Sequence, residues 1–383
     1  MVKPNGSLAY PYLGGALRDI GVECHVYDAC VGNDDDNLDD FFNKNSELSS
    51  GMIKTGVSDE RILEIAANYD AIGITSIFSQ QETRVLHCAK IIKKHYPNKL
   101  LFSGGVNAKS RSKIFFDSGF DVICTSEAET TLQKISKIMQ NGSKDFSSVG
   151  KIYFKNKYGK IVDNSHLGNI LMDLDQLPIP DWNLLPNKRY WKIGRPHGGK
   201  AKPGKELKYA SMMTSRGCPF SCSYCHIAEE IPGSKSGAIG KFRFKSDDRV
   251  INELTILKNK IGAKQVFIED DSIFGMKKRA IRLLKRIVGF GLDLMDVNGI
   301  NMIHLVKKSN KAGWMVPDEE VIELLTEVGF KEIVLPFESA NPRIIKKWCS
   351  NKLALDRFDP GELIKTIKKY KLYVGTNYML GFP

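Results

Sequence analysis

Three cysteines within eight residues give the clearest chemical signal in this 383-residue sequence. Cys218, Cys222 and Cys225 have the spacing C-x3-C-x2-C in the run SRGCPFSCSYCH. Thiolates are soft ligands that suit iron–sulfur clusters or zinc. Structural zinc usually takes four protein ligands, often from C-x2-C pairs, and no second pair is present in the sequence. The spacing therefore predicts a three-cysteine [4Fe–4S] site with one iron open to another ligand, and zinc remains the alternative.

Polar residues lie where later predicted strands end. These are Asp270 and Asp271, Asn298, and Glu338 with Ser339. Because a parallel β/α barrel places its active site at the carboxyl ends of its strands, we expect these side chains to lie near the cysteines. The structural alternative is that the acidic residues cap helices and that Asn298 belongs to a turn.

Two regions of alternating strand and helix patterns must position these residues. The first has continuous apolar runs at 71–75, 99–103 and 121–125, which are typical of a parallel sheet covered on both faces. It is interpreted as a flavodoxin-like, Rossmann-like doubly wound domain, with a further β-rich run at 22–28. The second region has five β/α steps, whose strands we predict at 209–214, 265–269, 294–298, 332–337 and 373–380. It is interpreted as a partial (β/α)6 TIM-like barrel.

The predicted domains are residues 1–145, a hairpin and linker at 146–206, and the partial barrel at 207–383. The hairpin is expected within 151–164, around a Lys-Tyr-Gly turn. The chain starts without the strand that should precede its first helix, and it stops after the fifth barrel strand. We therefore expect a fragment of a longer reading frame, with a barrel that is truncated after that strand.

Composition excludes several classes of protein. The chain is 42% hydrophobic and 26% charged, with no long apolar run and no secretory signal pattern, so we expect a cytoplasmic globular protein without a membrane span. The net charge is +12, and eight Lys or Arg lie between 188 and 208. Since aromatic residues that would stack on bases are not interleaved there, the stretch is interpreted as a solvated linker, and a nucleic-acid partner is not expected.

The C-x3-C-x-aromatic-C motif, placed after the first strand of a β/α barrel, resembles the radical SAM superfamily. The resemblance implies that the three cysteines hold a [4Fe–4S] cluster and that S-adenosylmethionine (SAM) chelates its fourth iron. It implies reductive cleavage of SAM to methionine and a 5′-deoxyadenosyl radical, while the protein supplies positioning and excludes water. By position, Tyr224 would lie against the adenine. The other residues implied to contact SAM are Asp270, Asp271, Asn298, Glu338 and Ser339.

Two later stretches extend this resemblance. Residues 336–340, PFESA, are similar to the family's G-x-E-S-G stretch, with Ala340 in place of the usual Gly. Residues 381–383, GFP, resemble the beginning of a G-F-P-G-E-T strand end.

Residues 1–140 resemble the cobalamin-binding domain of B12-dependent radical SAM enzymes. The carrying segments are 8–28, 73–76 (GITS), 103–108 (SGGVNA) and 125–130 (TSEAET), of which the last two match the family's G-G-P-H-A-T and G-E-G-E-x-T loops. The residues implied to contact cobalamin are Thr75, Ser76, Gly104, Gly105, Ser126 and Glu127. The D-x-H-x-x-G motif that supplies a lower axial histidine is absent, since Asp28 is followed by ACVG. The resemblance therefore implies a cobalt without a protein histidine ligand, and a scaffold that has lost cobalamin is the alternative.

The expected function is methyl transfer from methylcobalamin to a poorly activated carbon of a small-molecule or biosynthetic-intermediate substrate. An electron donor such as flavodoxin or ferredoxin is the implied protein partner. One alternative is a cobalamin-independent radical SAM enzyme of the methylthiotransferase-like or tRNA-modifying kind, although the N-terminal region contains no second cysteine triad. Another is a non-catalytic binding module stabilised by a metal.

Overall fold

The chain forms two compact units. A computed structural model describes residues 6–42, 45–47, 51, 53–193, 207–310, 313–349, 352 and 356–382. Unit 1 comprises Met1–Ile170, Leu177–Ile193 and Pro232–Ala238, and unit 2 comprises Leu171–Gln176, Gly194–Ile231 and Ile239–Pro383. The basic stretch at 188–208 lies outside the described residues from 194 to 206.

Unit 1 is built on one five-stranded sheet. A separate small hairpin, β1 (Asn45–Glu47) and β2 (Ile53–Thr55), precedes it. The sheet has the order β3-β4-β5-β6-β7. Its strands are β3 (Ala71–Thr75), β4 (Leu100–Gly104), β5 (Val122–Cys124), β6 (Ile152–Lys155) and β7 (Ile161–Asp163). The first three are parallel, whereas β6 and β7 are antiparallel, so the predicted hairpin extends this sheet.

Helices cover both faces of this sheet. They are α1 (Ala9–Asp19), α2 (Leu38–Phe42), α3 (Asp59–Ala67), α4 (Glu82–His95), α5 (Val106–Ser110), α6 (Ser112–Asp117), α7 (Glu129–Gln140) and α8 (Asn187–Ile193). One apolar cluster contains Leu17, Leu132 and Phe154, and a second contains Val85, Leu101 and Phe115. Burial on both faces is the reason that the central strands are continuous apolar runs.

The predicted β-rich run at 22–28 forms no strand. The chain there is irregular and its residues alternate between exposed and half-buried positions. Strand propensity is realised only where a ladder partner and a packing surface are present, and this run pairs with none of the described strands.

Unit 2 contains five parallel strands in the order β16-β15-β12-β11-β8. The strands of the unit are β8 (Tyr209–Met212), β9 (Ser215–Arg216), β10 (Arg243–Phe244), β11 (Gln265–Ile268), β12 (Asp293–Asp296), β13 (Val306–Lys308), β14 (Met315–Pro317), β15 (Phe330–Glu338) and β16 (Tyr373–Tyr378). Two antiparallel pairs, β9 with β10 and β13 with β14, had no signal in the sequence analysis. The predicted α/β class, with a Rossmann-like sheet and a partial barrel, is confirmed.

Amphipathic helices alternate with the strands of unit 2. They are α9 (His226–Glu229), α10 (Asp247–Ile256), α11 (Lys277–Ile287), α12 (Glu319–Val328), α13 (Pro342–Trp348) and α14 (Pro360–Lys369). In α11 the residues Ala280, Leu283, Leu284 and Ile287 recur at helical spacing and are buried, while the opposite face is basic. Across the described ranges, no helix has both the length and the apolar character needed to cross a bilayer.

Candidate functional site

The cysteine loop leaves the carboxyl end of β8 and is held by backbone hydrogen bonds. The Cys218 amide donates to the carbonyl of Gly240 (3.1 Å), and the Cys225 amide donates to the carbonyl of Cys222 (2.9 Å). The Ser223 amide and hydroxyl both donate to the Trp348 carbonyl, at 3.1 and 3.2 Å. The loop is therefore anchored to other segments at its start and in its middle, and a turn within the loop closes its end.

Gly217 is the residue that allows the chain to enter this loop. It has φ +77°, and a Cβ at this position would lie 2.4 Å from the Lys241 carbonyl oxygen. Its amide donates to Asp271 Oδ2 at 3.0 Å. Both the left-handed backbone and the close approach require glycine immediately before Cys218.

Asp270 holds the strand end from which the loop begins. Its Oδ1 accepts from the Thr214 amide (2.6 Å), and its Oδ2 accepts from the hydroxyls of Thr214 (2.6 Å) and Ser215 (2.5 Å). The buried Arg279 donates to the Thr214 hydroxyl at 2.9 Å and to its carbonyl at 3.1 Å. Asp270 is 3% exposed. This residue, predicted to contact SAM, therefore positions the cysteine loop through its hydrogen bonds to Thr214 and Ser215.

Two of the three thiols, Cys222 and Cys225, lie against an apolar wall. Cys222 is buried, and Ile345, Trp348 and Phe382 pack around it and Cys225. Burial raises the pKa of Cys218 to about 11, with Asp271 and the other two thiols adding to the shift. Burial also raises the pKa of Cys222, against the opposing effect of Lys352. Without a bound metal the chain therefore favours the protonated thiols of Cys218 and Cys222, and metal binding there must release their protons.

The donor set fits a cluster. Among the described residues, no three His, Cys, Asp or Glu side chains converge on a point where they could hold a single ion. A cubane bonds each thiolate to a different iron, so a triad that serves a cluster need not converge on one point. Three thiols on one anchored loop, electrostatically coupled to one another, meet that requirement.

Tyr224 lies between the cysteine loop and the end of β15. Its phenol interacts electrostatically with the Glu338 carboxylate and with the Cys222 and Cys349 thiols. Burial raises its pKa, and Cys222 and Glu338 raise it further. Its ring meets Phe382 edge-on, with centroids 5.5 Å apart. The structure thus brings Tyr224 and Glu338, two of the predicted SAM contacts, together beside the thiols.

Asn298 and Ser339 contribute mainly to the chain's own turns. The Asn298 side-chain amide donates to the carbonyls of Glu269 (3.0 Å) and Asp270 (3.2 Å), which ties the end of β12 to that of β11. The Ser339 hydroxyl accepts from the Asn341 amide at 3.1 Å. Both residues lie at the carboxyl edge of the sheet.

Three residues at or after the end of β12 were not predicted as site residues from the sequence: Asp296, Asn301 and His304. Burial raises the pKa of Asp296 to about 7, although its carboxylate accepts from the amides of Val334 (2.9 Å) and Gly299 (3.2 Å). Burial lowers the pKa of His304 to about 4, and its ring stacks on Phe274 with centroids 5.8 Å apart.

Two buried side-chain nitrogens lie in the segment that follows β12. His304 Nε2 and Asn301 Nδ2 are buried without a hydrogen-bond partner among the described residues. The run NGINMIH offered only a turn signal for them. A buried nitrogen without a partner marks a place where a bound polar group would supply the missing hydrogen bond.

The predicted cobalamin residues lie after three parallel strands of unit 1, at their shared carboxyl edge. Thr75 ends β3 and Gly104 ends β4. Ser76 is fully buried, and its hydroxyl accepts from the Asn107 side-chain amide at 2.9 Å. Gly105 has φ +103°, and a Cβ there would lie 2.5 Å from the Ser76 carbonyl oxygen. At these two glycines the edge is therefore formed by backbone, without a side chain.

The loop after β5 binds the segment Pro232–Ala238, which belongs to unit 1. The Thr125 hydroxyl donates to the Lys235 carbonyl (3.1 Å), and the Ser126 hydroxyl donates to the Ser236 carbonyl (2.6 Å). Glu127 is half-buried beside them. The Ser126 hydroxyl, predicted as a cobalamin contact, is thus engaged within the protein.

His25 and His87 occupy positions consistent with packing. The His87 ring is 2.6 Å from Asp59 Oδ2, and His25 lies against Tyr69 with ring centroids 5.6 Å apart.

One family model and several relatives are similar to this chain. Residues 212–383 match the model of the Radical SAM superfamily. An uncharacterized methyltransferase of Pyrococcus horikoshii is 29% identical over 325 residues, which cover 82% of this chain and 61% of the relative. Cytidylyl-2-hydroxyethylphosphonate methyltransferase of Streptomyces wedmorensis is 23% identical over 98% of this chain and 69% of its own length. The chain thus spans less than two thirds of the Pyrococcus relative.

Solved structures share the fold at low identity. One is TsrM from Kitasatospora setae, a radical SAM methyltransferase with cobalamin and a [4Fe-4S] cluster bound, which aligns with a TM-score of 0.66 at 15% identity. That alignment covers 99% of this chain and 67% of TsrM. Another is the cobalamin-dependent SAM radical enzyme OxsB, with a TM-score of 0.70 at 14% identity over 98% of this chain and 47% of OxsB. Residues 212–383, which carry the three-thiol loop, are thus similar to the Radical SAM superfamily.

Proposed function

We propose that the chain is a cobalamin-dependent radical SAM methyltransferase that methylates a poorly activated carbon of a small-molecule substrate. The observation that carries the proposal is the three-thiol loop at the carboxyl edge of five parallel strands. The methyltransferase names of the relatives and the cobalamin bound in TsrM and OxsB support the reaction class.

Cys218, Cys222 and Cys225 are the proposed ligands of a [4Fe–4S] cluster. In the radical SAM family this cluster supplies the electron that cleaves SAM, and cobalamin carries the methyl group that is transferred. The apolar wall of Ile345 and Trp348 excludes water from one side of the thiols. Water exclusion protects reactive species from side reactions.

SAM is assigned to the open side of the loop, where Glu338 and Ser339 end β15. The Glu338 carboxylate has capacity for further donors besides Lys352, because an ionised carboxylate offers about four acceptor positions. Asp270 is proposed to act through the loop it positions, since three donors already occupy its two oxygens.

Cobalamin is assigned to the carboxyl edge of unit 1. The Ser76 and Ser126 hydroxyls are engaged by the protein, so we assign the contact to the backbone at Gly104 and Gly105. Ile77 and Phe78, which follow β3 and are 37% and 59% exposed, offer apolar surface for a large ring system.

A cobalamin-independent radical SAM enzyme is the second candidate. The observation that favours it is that the Ser126 hydroxyl already donates within the protein and that Ser76 is fully buried, so neither predicted contact is available to a ligand. Cobalamin binding separates the two candidates.

An oxygen-sensitive cluster requires a reducing compartment and a one-electron donor. We therefore place the protein in the cytoplasm, with a flavodoxin- or ferredoxin-type protein as the electron donor.

The test is anaerobic reconstitution of the full chain with iron and sulfide, with and without hydroxocobalamin. Cys222→Ser is compared with the matched control Cys349→Ser, because both thiols are buried in one apolar cluster. We expect wild type and Cys349→Ser to bind about four irons and release 5′-deoxyadenosine from SAM under reduction, while Cys222→Ser loses both. A wild type that stays iron-free overturns the proposal, and cluster formation without retention of cobalamin selects the second candidate.

A further inference from the structure

Glu338 ends β15 in an unusual backbone conformation. Its φ is +59°, in the left-handed region that residues with a side chain rarely adopt. Its carbonyl accepts from the Met379 amide at 2.8 Å, and the Ser339 amide donates to the Phe337 carbonyl at 2.7 Å. Such strain persists where surrounding contacts impose it, and it occurs most often at functional sites.

The side chain that this conformation presents is paired with Lys352. The Lys352 ammonium contacts Glu338 Oε1 at 2.5 Å, and the two side chains are only 13% and 11% exposed. The same ammonium lies 6.0 Å from the centroid of the Tyr224 ring. The pair is therefore largely removed from solvent. Charges in such a position are only weakly screened.

This ion pair lies close to Cys222, because the Tyr224 ring that Lys352 approaches packs in the same apolar cluster as Cys222. Lys352 and Glu338 both interact electrostatically with Cys222, a proposed cluster ligand, and with Cys349. Lys352 was not among the residues singled out in the sequence, because a lysine in the run CSNKLAL has no distinguishing signal.

We propose that the Lys352–Glu338 pair balances the charge beside the cluster, with Lys352 favouring the reduced form and Glu338 opposing it, so that loss of either partner alone shifts the reduction potential. The inference rests on the proposed function, since it requires the cluster on Cys218, Cys222 and Cys225.

The physical reason is the charge of the added electron. One-electron reduction makes the cluster more negative by one unit, with the electron supplied by an electrode or a one-electron donor. A nearby ammonium stabilises that charge and a nearby carboxylate destabilises it. In the wild type the two charges sum to zero.

Three variants separate these contributions by sign. Lys352→Gln leaves an unbalanced carboxylate, so the midpoint potential should become more negative. Glu338→Gln leaves an unbalanced ammonium, so the potential should become more positive. The double variant removes both charges and should return close to the wild-type value. For a partly buried unit charge we expect each single shift to be about tenfold in the reduction equilibrium, or about 59 mV for one electron.

The experiment is a spectroelectrochemical titration of the reconstituted full chain without SAM, followed by EPR of the reduced cluster. Iron and sulfide content is measured first for every variant, and Lys352→Arg should keep the wild-type potential. Lys346→Gln is the matched control, because Lys346 pairs with Asp356 at 2.7 Å on the exposed surface and should not shift the potential.

Opposite shifts in the single variants, with recovery in the double variant, support the proposal. Shifts in the same direction, or no shift in proteins with wild-type iron content, overturn it. If Lys352→Gln assembles no cluster, the positive shift of Glu338→Gln still decides the matter. A wild type that binds no cluster is a different result, because it refutes the proposed function itself.

Discussion

Replacing Asp270 should destabilise unit 2 far more than replacing its neighbour Asp271. Asp270 is 3% exposed and accepts three hydrogen bonds from Thr214 and Ser215, whereas Asp271 is exposed and accepts the Gly217 amide. A hydrogen bond to a charged group contributes about 1.5–3 kcal/mol, and such contributions within one network are not additive. The carboxylate also interacts with the buried Arg279, which would lose the largest of its favourable charge interactions.

We therefore expect Asp270→Ala to lower the free energy of unfolding of unit 2 by about 3–5 kcal/mol. Asp271→Ala should lower it by about 1 kcal/mol or less, because its bond is open to solvent. The assay is anaerobic urea denaturation of the apoprotein followed by circular dichroism, with the unit 2 transition analysed separately. Asp270→Asn should fall between the two, since an amide retains one acceptor oxygen.

Equal stabilities of the two alanine variants would refute the assignment of Asp270 as the anchor of the loop. A second readout is iron content after reconstitution. Asp271→Ala should fold yet incorporate less iron, because the Gly217 amide that it orients immediately precedes Cys218.

Four further predictions concern single residues. Gly217→Ala should abolish cluster assembly, measured as iron content, because its Cβ would lie 2.4 Å from a backbone oxygen at φ +77°. Burial raises the folded pKa of Asp296 from 3.8 to about 7, so its contribution to stability is fully present below pH 3.8 and is lost as pH rises through 7. Urea titrations of wild type and Asp296→Asn from pH 5 to 8 should show this slope in the wild type alone. Burial lowers the pKa of His304 to about 4, so its NMR titration should stay flat between pH 5 and 8. Ser126→Ala should speed amide hydrogen exchange in Pro232–Ala238, because the Ser126 hydroxyl holds that segment at 2.6 Å, and unchanged exchange would contradict this role.

Local pattern was sufficient to predict most elements and the general fold. The strands predicted at 71–75 and 265–269 match β3 and β11, because continuous apolar runs are local signals. The prediction of β structure at 22–28 was wrong, since β propensity does not show whether a partner strand lies alongside. The hairpin at 151–164 was predicted correctly, but its pairing with β5 depends on contacts distant in sequence.

The sequence by itself determined the chemistry: three thiols at C-x3-C-x2-C spacing must lie on one short loop, whatever the rest of the chain does. Only the tertiary structure decided which of the surrounding polar groups remain available to a ligand. It engaged Asp270 and Ser126 in hydrogen bonds within the protein and brought Lys352 to Glu338 beside Cys222. The physical reason is that ligand spacing is a local property of the chain, whereas burial and hydrogen-bond satisfaction depend on residues that meet only after folding.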